Sequence, residues 1–218
     1  MMKPDLKKAF ITNILIVLLV TAGVVWMMTT PALYDLTATK LGALKFFTVD
    51  SNILAGVASL LMAISQYRVL KGKKERVEPW LYTFKLVAAV GVAITMLVTV
   101  FYLGFVVSTG YFSMFRGSNF LFHLIIPVAC IVDFIFFEKT DCIAFKCSFF
   151  SFVPLVLYGI YYAAAALTHM ENGVIQKGYD WYRFLQFGVK SMIIVYPFFM
   201  AFTFLVSFVL WKLNRKKA

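Results

Sequence analysis

Charge is what this chain has least of. Asp, Glu, Lys and Arg make up 14% of its 218 residues, whereas soluble domains carry about 25%. Cysteine is also scarce. Cys130, Cys142 and Cys147 offer no obvious disulfide framework, and the basic loop around the last two lacks the further His or Cys ligands a zinc site needs. Histidine occurs twice, at His123 and His169. The sequence contains no G-x-S-x-G elbow, no H-E-x-x-H, no P-loop and no G-x-G-x-x-G, so nothing points to a haem, metal or nucleotide cofactor. Short segments of alternating polarity, the mark of a transmembrane barrel, are missing. So is an internal repeat of the kind many secondary transporters carry.

What the chain has in excess is apolar surface: 62% hydrophobic residues, 18% aromatic, and a mean hydropathy of +0.86. Soluble domains stop at about 45–50% apolar. Runs of about twenty apolar residues recur along the whole length. The pattern predicts an all-α, polytopic membrane protein, a six-helix transmembrane bundle forming a single domain over residues 1–218. Spans are expected at about 10–28, 46–67, 80–107, 119–137, 149–167 and 187–211, each long enough at about 1.5 Å per residue to cross a core of about 30 Å. The first run is long for a signal-peptide core and lacks a small-residue cleavage site, so it reads as a retained helix.

The net charge of +11 sits in short loops, where it sets topology and attracts anionic headgroups rather than nucleic acid. One side collects Lys3, Lys7, Lys8, Arg68, Lys71, Lys73, Lys74, Arg76, Lys139, Lys146, Lys212, Arg215, Lys216 and Lys217. The other receives Lys40, Lys45, Arg116, Lys177, Arg183 and Lys190. The positive-inside rule therefore predicts that both termini are cytoplasmic.

Polar groups inside a span are costly and are functional candidates by default. The second span opens Lys45-Phe46-Phe47-Thr48-Val49-Asp50-Ser51-Asn52. At about 100° per residue, Thr48, Ser51, Asn52, Ala55 and Ser59 fall on one face. Such a stripe serves equally as interhelical glue or as a reactive face. Asp50 lies off it, solvated or paired with Lys45. The fourth span carries Arg116-Gly117-Ser118-Asn119 and then His123, about a turn inside the apolar run, with Pro127 and Asp133 beyond. Topology sets Thr48 and His123 at similar depth at the outer ends of their helices. A threonine hydroxyl attacks an acyl carbonyl when a base removes its proton and donors stabilise the oxyanion. His123 is the candidate base, and Ser51, Asn52 and Asn119 are the candidate donors. Asp133, about 15 Å further along its helix, suits bonding to a neighbouring helix or pairing near the inner surface. His169 is expected at the surface. The aromatic run Tyr179-Asp180-Trp181-Tyr182-Arg183-Phe184 reads as an interfacial anchor first and a substrate lid second.

These residues carry a resemblance. Phe46-Phe47-Thr48-Val49-Asp50-Ser51-Asn52, His123 with Pro127 and Asp133, Pro154 with Tyr158, and Gly178-Tyr179-Asp180-Trp181-Tyr182 together resemble the androgen-induced-protein superfamily, nearest its bacterial six-helix membrane branch. The resemblance runs nearly end to end. It implies a six-helix intramembrane hydrolase with Thr48 as nucleophile and His123 as histidine partner. Eukaryotic members cleave esters joining a fatty acid to the hydroxyl of a hydroxy fatty acid. The bacterial loop usually reads Tyr-Pro-Tyr-Pro-Phe, where this chain has Asp180-Trp181-Tyr182-Arg183-Phe184, a departure that bears on substrate more than on fold. The expectation is an intramembrane hydrolase of lipid-borne fatty-acyl esters in a bacterial cytoplasmic membrane. The alternative is a non-catalytic lipid-binding or transport protein whose polar stripe lines a cavity.

Overall fold

The computed structural model describes residues 3–30, 40–106, 110–176, 178–185 and 188–215. Six helices among them are long and apolar enough to cross a membrane: α1 (Asp5–Thr29), α2 (Phe47–Leu70), α3 (Pro79–Val106), α4 (Ser118–Phe137), α5 (Phe145–Thr168) and α6 (Met192–Asn214). The chain is thus an all-α, multi-pass membrane protein. Extended structure among the described residues is one short hairpin, β1 (Met170–Glu171) paired antiparallel with β2 (Val174–Ile175).

Several helices overrun their apolar runs. α1 takes Lys7 and Lys8 into its first turns, and α2 continues past Arg68, because long basic side chains can reach the interface from a helical backbone. α6 starts later than its apolar run, at Met192. Phe187, Val107, Pro31, Lys177, Lys216 and Lys217 lie outside the described residues.

Of the six spans, α3 is the most buried and α5 the least. α3 reads Leu86-Val87-Ala88-Ala89-Val90-Gly91-Val92-Ala93, apolar all round, as a helix enclosed by others must be. Its small residues let neighbours approach. A Cβ on Gly91 would lie 3.3 Å from the Ser51 Cβ of α2, and one on Gly23 of α1 would lie 2.7 Å from the Phe122 ring of α4. One apolar cluster joins α1, α2 and α4 through Ile16, Val20, Ala55, Phe122 and Ile126. A second joins α3 and α6 to residues 178–185 through Leu86, Val90, Val206, Leu210, Trp181 and Leu185.

Three π-turns interrupt these helices: Thr99–Leu103 in α3, and Leu121–Ile125 and Asp133–Phe137 in α4. In each, an N–H reaches back five residues instead of four and frees one carbonyl. Gly104 N–H bonds to Thr99 O, Ile126 N–H to Leu121 O and Glu138 N–H to Asp133 O. The freed carbonyls are those of Val100, Phe122 and Phe134. Phe122 O cannot recover a partner from residue 127, because Pro127 has no N–H. Bare polar backbone is not tolerated inside a membrane, and a side chain from elsewhere serves each one. The Tyr111 hydroxyl donates to Val100 O at 3.2 Å, Asn52 Nδ2 to Phe122 O at 3.1 Å, and Asn214 Nδ2 to Phe134 O.

Candidate functional site

The polar stripe of α2 faces inward along its length: Thr48, Ser51, Asn52, Ala55 and Ser59 are all buried. Most of its polar members are committed to neighbouring helices. The Ser51 hydroxyl pairs with Thr95 Oγ1 of α3 at 2.9 Å and lies 3.1 Å from Thr48 O. Ser59 Oγ accepts from Lys85 of α3 at 2.8 Å. Asn52 donates to Thr48 O at 2.7 Å as well as to Phe122 O, while its Oδ1 lacks a partner among the described residues. Both acceptors of the Asn52 amide are carbonyls, so its N–H groups go to joining α2 to α4. Asn119, half-buried in the first turn of α4, makes no side-chain hydrogen bond among the described residues.

Thr48 is the exception. It lines an apolar cavity of about 170 Å³ together with Thr95, Tyr158, Tyr162, Tyr182 and Phe199. Apolar cavities of about 150 Å³ stay dry and take a benzene-sized guest, so this one is matched to a few carbons of an alkyl chain. Phe47 and Tyr158, whose ring centroids are 5.2 Å apart, line this cavity on one side. On the other they line a larger cleft of about 1060 Å³ between α2, α3 and α5. The two rings form a partition between the spaces. Asp50 belongs to the cleft. Lys45 is not its ion-pair partner, since its Nζ lies over the rings of Phe46 and Trp181, at 5.3 and 5.4 Å from their centroids.

The roof of the cavity is the aromatic run, which the sequence suggested would sit as an interfacial anchor. Trp181, Tyr182 and Leu185 are instead buried. Asp180 explains the inward fold. It accepts from the Tyr162 hydroxyl and, through Oδ2, from Leu185 N–H at 3.1 Å. Trp181 Nε1 donates to the Tyr158 hydroxyl at 2.8 Å, and that hydroxyl donates to Lys45 O at 2.8 Å. The Tyr182 hydroxyl interacts with the hydroxyls of Tyr158 and Thr48 and with the N–H groups of Thr48 and Phe47 that open α2. Burial pushes its pKa up to about 12, against the pull of those contacts, so it remains a phenol, a donor, at any physiological pH. It was missed in the sequence because six polar and aromatic residues in a loop have no periodicity to show which of them turns inward.

His123 is buried in the first π-turn of α4. Its Nδ1 lies 2.7 Å from Met114 O. A carbonyl only accepts, so Nδ1 carries the proton, and in the neutral ring Nε2 is the basic nitrogen. His123 follows Phe122, whose carbonyl is tied to Asn52, one turn below Thr48. The first turns of the two helices are therefore adjacent. His123 and Thr48 are nonetheless not hydrogen-bonded to each other, and His123 does not line the cavity. His169 stacks on Tyr179 at 3.6 Å and bonds to Ala165 O.

A second polar cluster was only glimpsed in the sequence, through Asp133. At the end of the bundle where α1 starts and α6 finishes, Lys85 Nζ lies 2.9 Å from Asp133 Oδ2 and 3.9 Å from Glu138 Oε2. Glu138 Oε1 accepts from Asn13 Nδ2 at 2.6 Å and Gln66 Nε2 at 3.0 Å. Lys85, Asp133, Glu138, Asn13 and Gln66 are all buried. Lys85 could have been found from its place five residues inside an apolar run. Glu138 looked like the first loop residue after α4.

No family model matches the chain, and neither does any curated protein or any solved structure.

Proposed function

We propose that this protein is an intramembrane hydrolase of lipid-borne fatty-acyl esters, with Thr48 as nucleophile and His123 as base. The observation that carries the reading is that Thr48, alone among the polar members of the α2 stripe, lines the small apolar cavity, where the Tyr182 hydroxyl meets it, while Ser51, Asn52 and Ser59 are tied to neighbouring helices. The resemblance to the androgen-induced-protein superfamily supports the same two residues. Thr48 Oγ1 attacks the ester carbonyl and its proton passes to His123 Nε2. The Tyr182 hydroxyl and the N–H groups of Phe47 and Thr48 stabilise the oxyanion. Collapse expels the alcohol, which takes the proton back from His123 and leaves acyl-Thr48. Water, deprotonated by His123, then frees the fatty acid. Catalytic hydrogen bonds are often long in empty sites and tighten around substrate, which reconciles this chemistry with the gap between Thr48 and His123. The acyl chain runs from the cavity past Phe47 and Tyr158 into the membrane-facing cleft. The distribution of basic residues supports cytoplasmic termini in a bacterial inner membrane, with Thr48 toward the outer surface.

Purified protein treated with a fluorophosphonate probe tests the assignment. Wild-type protein is expected to label, and Thr48→Ala and His123→Ala are expected not to. Labelling that persists in both variants overturns it. A second reading, a non-catalytic lipid-binding protein, is favoured by the contact of Thr48 with Tyr182 instead of with a base. It predicts co-purifying lipid, no labelling, and no ester turnover across a lipid panel.

A further inference from the structure

The Lys85 cluster does not balance its charge. Lys85 brings one positive charge, Asp133 and Glu138 two negative ones, and none of the three is more than 1% exposed. An ammonium has three N–H donors. Ser59 Oγ and Asn13 Oδ1 take two of them, and Asp133 Oδ2 lies closest to the third, in an ion contact at 2.9 Å, which leaves Glu138 Oε2 at 3.9 Å. Asp133 Oδ1 and Glu138 Oε2 are both fully buried and, like the Asp133 Oδ2 that touches the ammonium, without a hydrogen-bond partner among the described residues. Among the described residues, the other groups that face the cluster bring no positive charge. They are Gln66 from α2, Tyr82 from α3, Cys130 from α4 and Cys142 from the loop that follows. Asn214 from α6 binds only the backbone carbonyls of Phe134 and Glu138. A carboxylate buried without a counter-charge takes up a proton rather than stay ionised.

We propose that this cluster is a proton-binding site, in which Asp133 and Glu138 together hold one proton at neutral pH on one of the two oxygens, Asp133 Oδ1 and Glu138 Oε2, that the Lys85 ammonium leaves unmet. The occupied site is neutral: an ammonium, a carboxylate and a carboxylic acid. The two carboxyls share the single Lys85 ammonium, so the proton is assigned to the pair and not to either residue. A sodium or potassium ion is the less suitable occupant. It would sit beside the Lys85 ammonium with two free oxygens, too few to replace its water. The residues of the site come from α1, α2, α3 and α4, and Asn214 adds α6. The proton therefore holds together one end of the bundle, and its release to solvent at alkaline pH leaves an unbalanced carboxylate that pushes those helices apart. This end lies away from Thr48, and the inference does not depend on the hydrolase reading.

Infrared spectroscopy of the intact protein in lipid discs tests the proposal directly. A protonated carboxylic acid has a carbonyl stretch well separated from carboxylate bands, and deuteration shifts it. Wild-type protein is expected to show such a band at neutral pH and to lose it on alkalinisation, with a parallel fall in thermal midpoint. Glu138→Gln and Asp133→Asn each leave one carboxylate paired with Lys85. Each is expected to lack the band and to hold its midpoint across the same alkaline range. Three results overturn the proposal: a wild-type spectrum without the band at neutral pH, a band that survives in both variants, or a midpoint that follows sodium or potassium concentration at fixed pH. The first needs no variant, so a substitution that fails to fold does not shelter the idea.

Discussion

Replacing Asn52 tests the link between the first turns of α2 and α4. Its Nδ2 serves two carbonyls, Thr48 O at 2.7 Å and Phe122 O at 3.1 Å, from a fully buried position. Asn52→Leu keeps the volume and discards both bonds. Thr48 O is left with the Ser51 hydroxyl, but Phe122 O loses its side-chain donor. A buried unpaired group costs about 1–3 kcal/mol, while interhelical bonds in membranes average about 0.6 kcal/mol and reach about 1.7. Removing the partnerless Oδ1 recovers part of the loss, and the expected net destabilisation is about 1 kcal/mol. Asn52→Asp is nearly isosteric yet worse, because a carboxylate there faces two carbonyl oxygens. It must take up a proton, and then it can serve one acceptor instead of two. A penalty of about 3 kcal/mol or more is expected at neutral pH, shrinking as pH falls. Unfolding in SDS-titrated mixed micelles, followed by tryptophan fluorescence, gives the order wild type, then Asn52→Leu, then Asn52→Asp. If Asn52→Asp matched or exceeded Asn52→Leu at neutral pH, the amide nitrogen would not face two carbonyls, and the link between the helices would have to be redrawn.

Tyr182→Phe removes one proposed oxyanion donor and should lower ester turnover about 100-fold or more. Because the phenol stays protonated up to about pH 12, the wild-type rate should show no alkaline limb from this group; an unchanged rate in the variant excludes it from the reaction. Leu155→Phe, projecting into the 170 Å³ cavity, should reduce hydrolysis of long-chain esters more than short-chain ones. Equal effects on both would detach the cavity from substrate binding. Glu78, whose pKa the Lys74 ammonium and the Ser65 hydroxyl pull down to about 2, contributes stability above the ordinary carboxylate range and loses it as pH falls toward 2. The pair is partly exposed, so solvent screening holds the cost of Lys74→Ala to about 1 kcal/mol at neutral pH, and to nothing below pH 2, as read from acid unfolding curves.

Composition and run length were enough to read the six spans, because the cost of burying backbone in lipid leaves helices as almost the sole solution. The inward face of α2 was equally legible, since small and polar residues recur there with helical period. α4 was harder. Its two π-turns shift the angular position of every later residue, so regular spacing could not show where His123 and Asp133 lie relative to each other. Asp133 was expected to pair near one membrane surface, and it does pair, with Lys85. The pairing itself was not legible, because the two residues lie in different apolar runs. Asp50 was open to solvation or to pairing with Lys45, five residues away. The aromatic loop decides against the pairing, because Trp181 and Phe46 offer Lys45 two ring faces.

The three freed carbonyls give the bundle an unusual sensitivity to chain length. A π-turn is an α-helix with one residue too many, so deleting a single residue from 121–125 would remove the first π-turn of α4. Everything beyond the deletion would then rotate by about 100° relative to what precedes it. Pro127 would still leave the carbonyl four residues before it without a helical donor, but one of the two ends of α4 would have to abandon its neighbours, either Asn52 and Met114 or Lys85 and Asn214. In this chain a one-residue gap is a larger change than most substitutions.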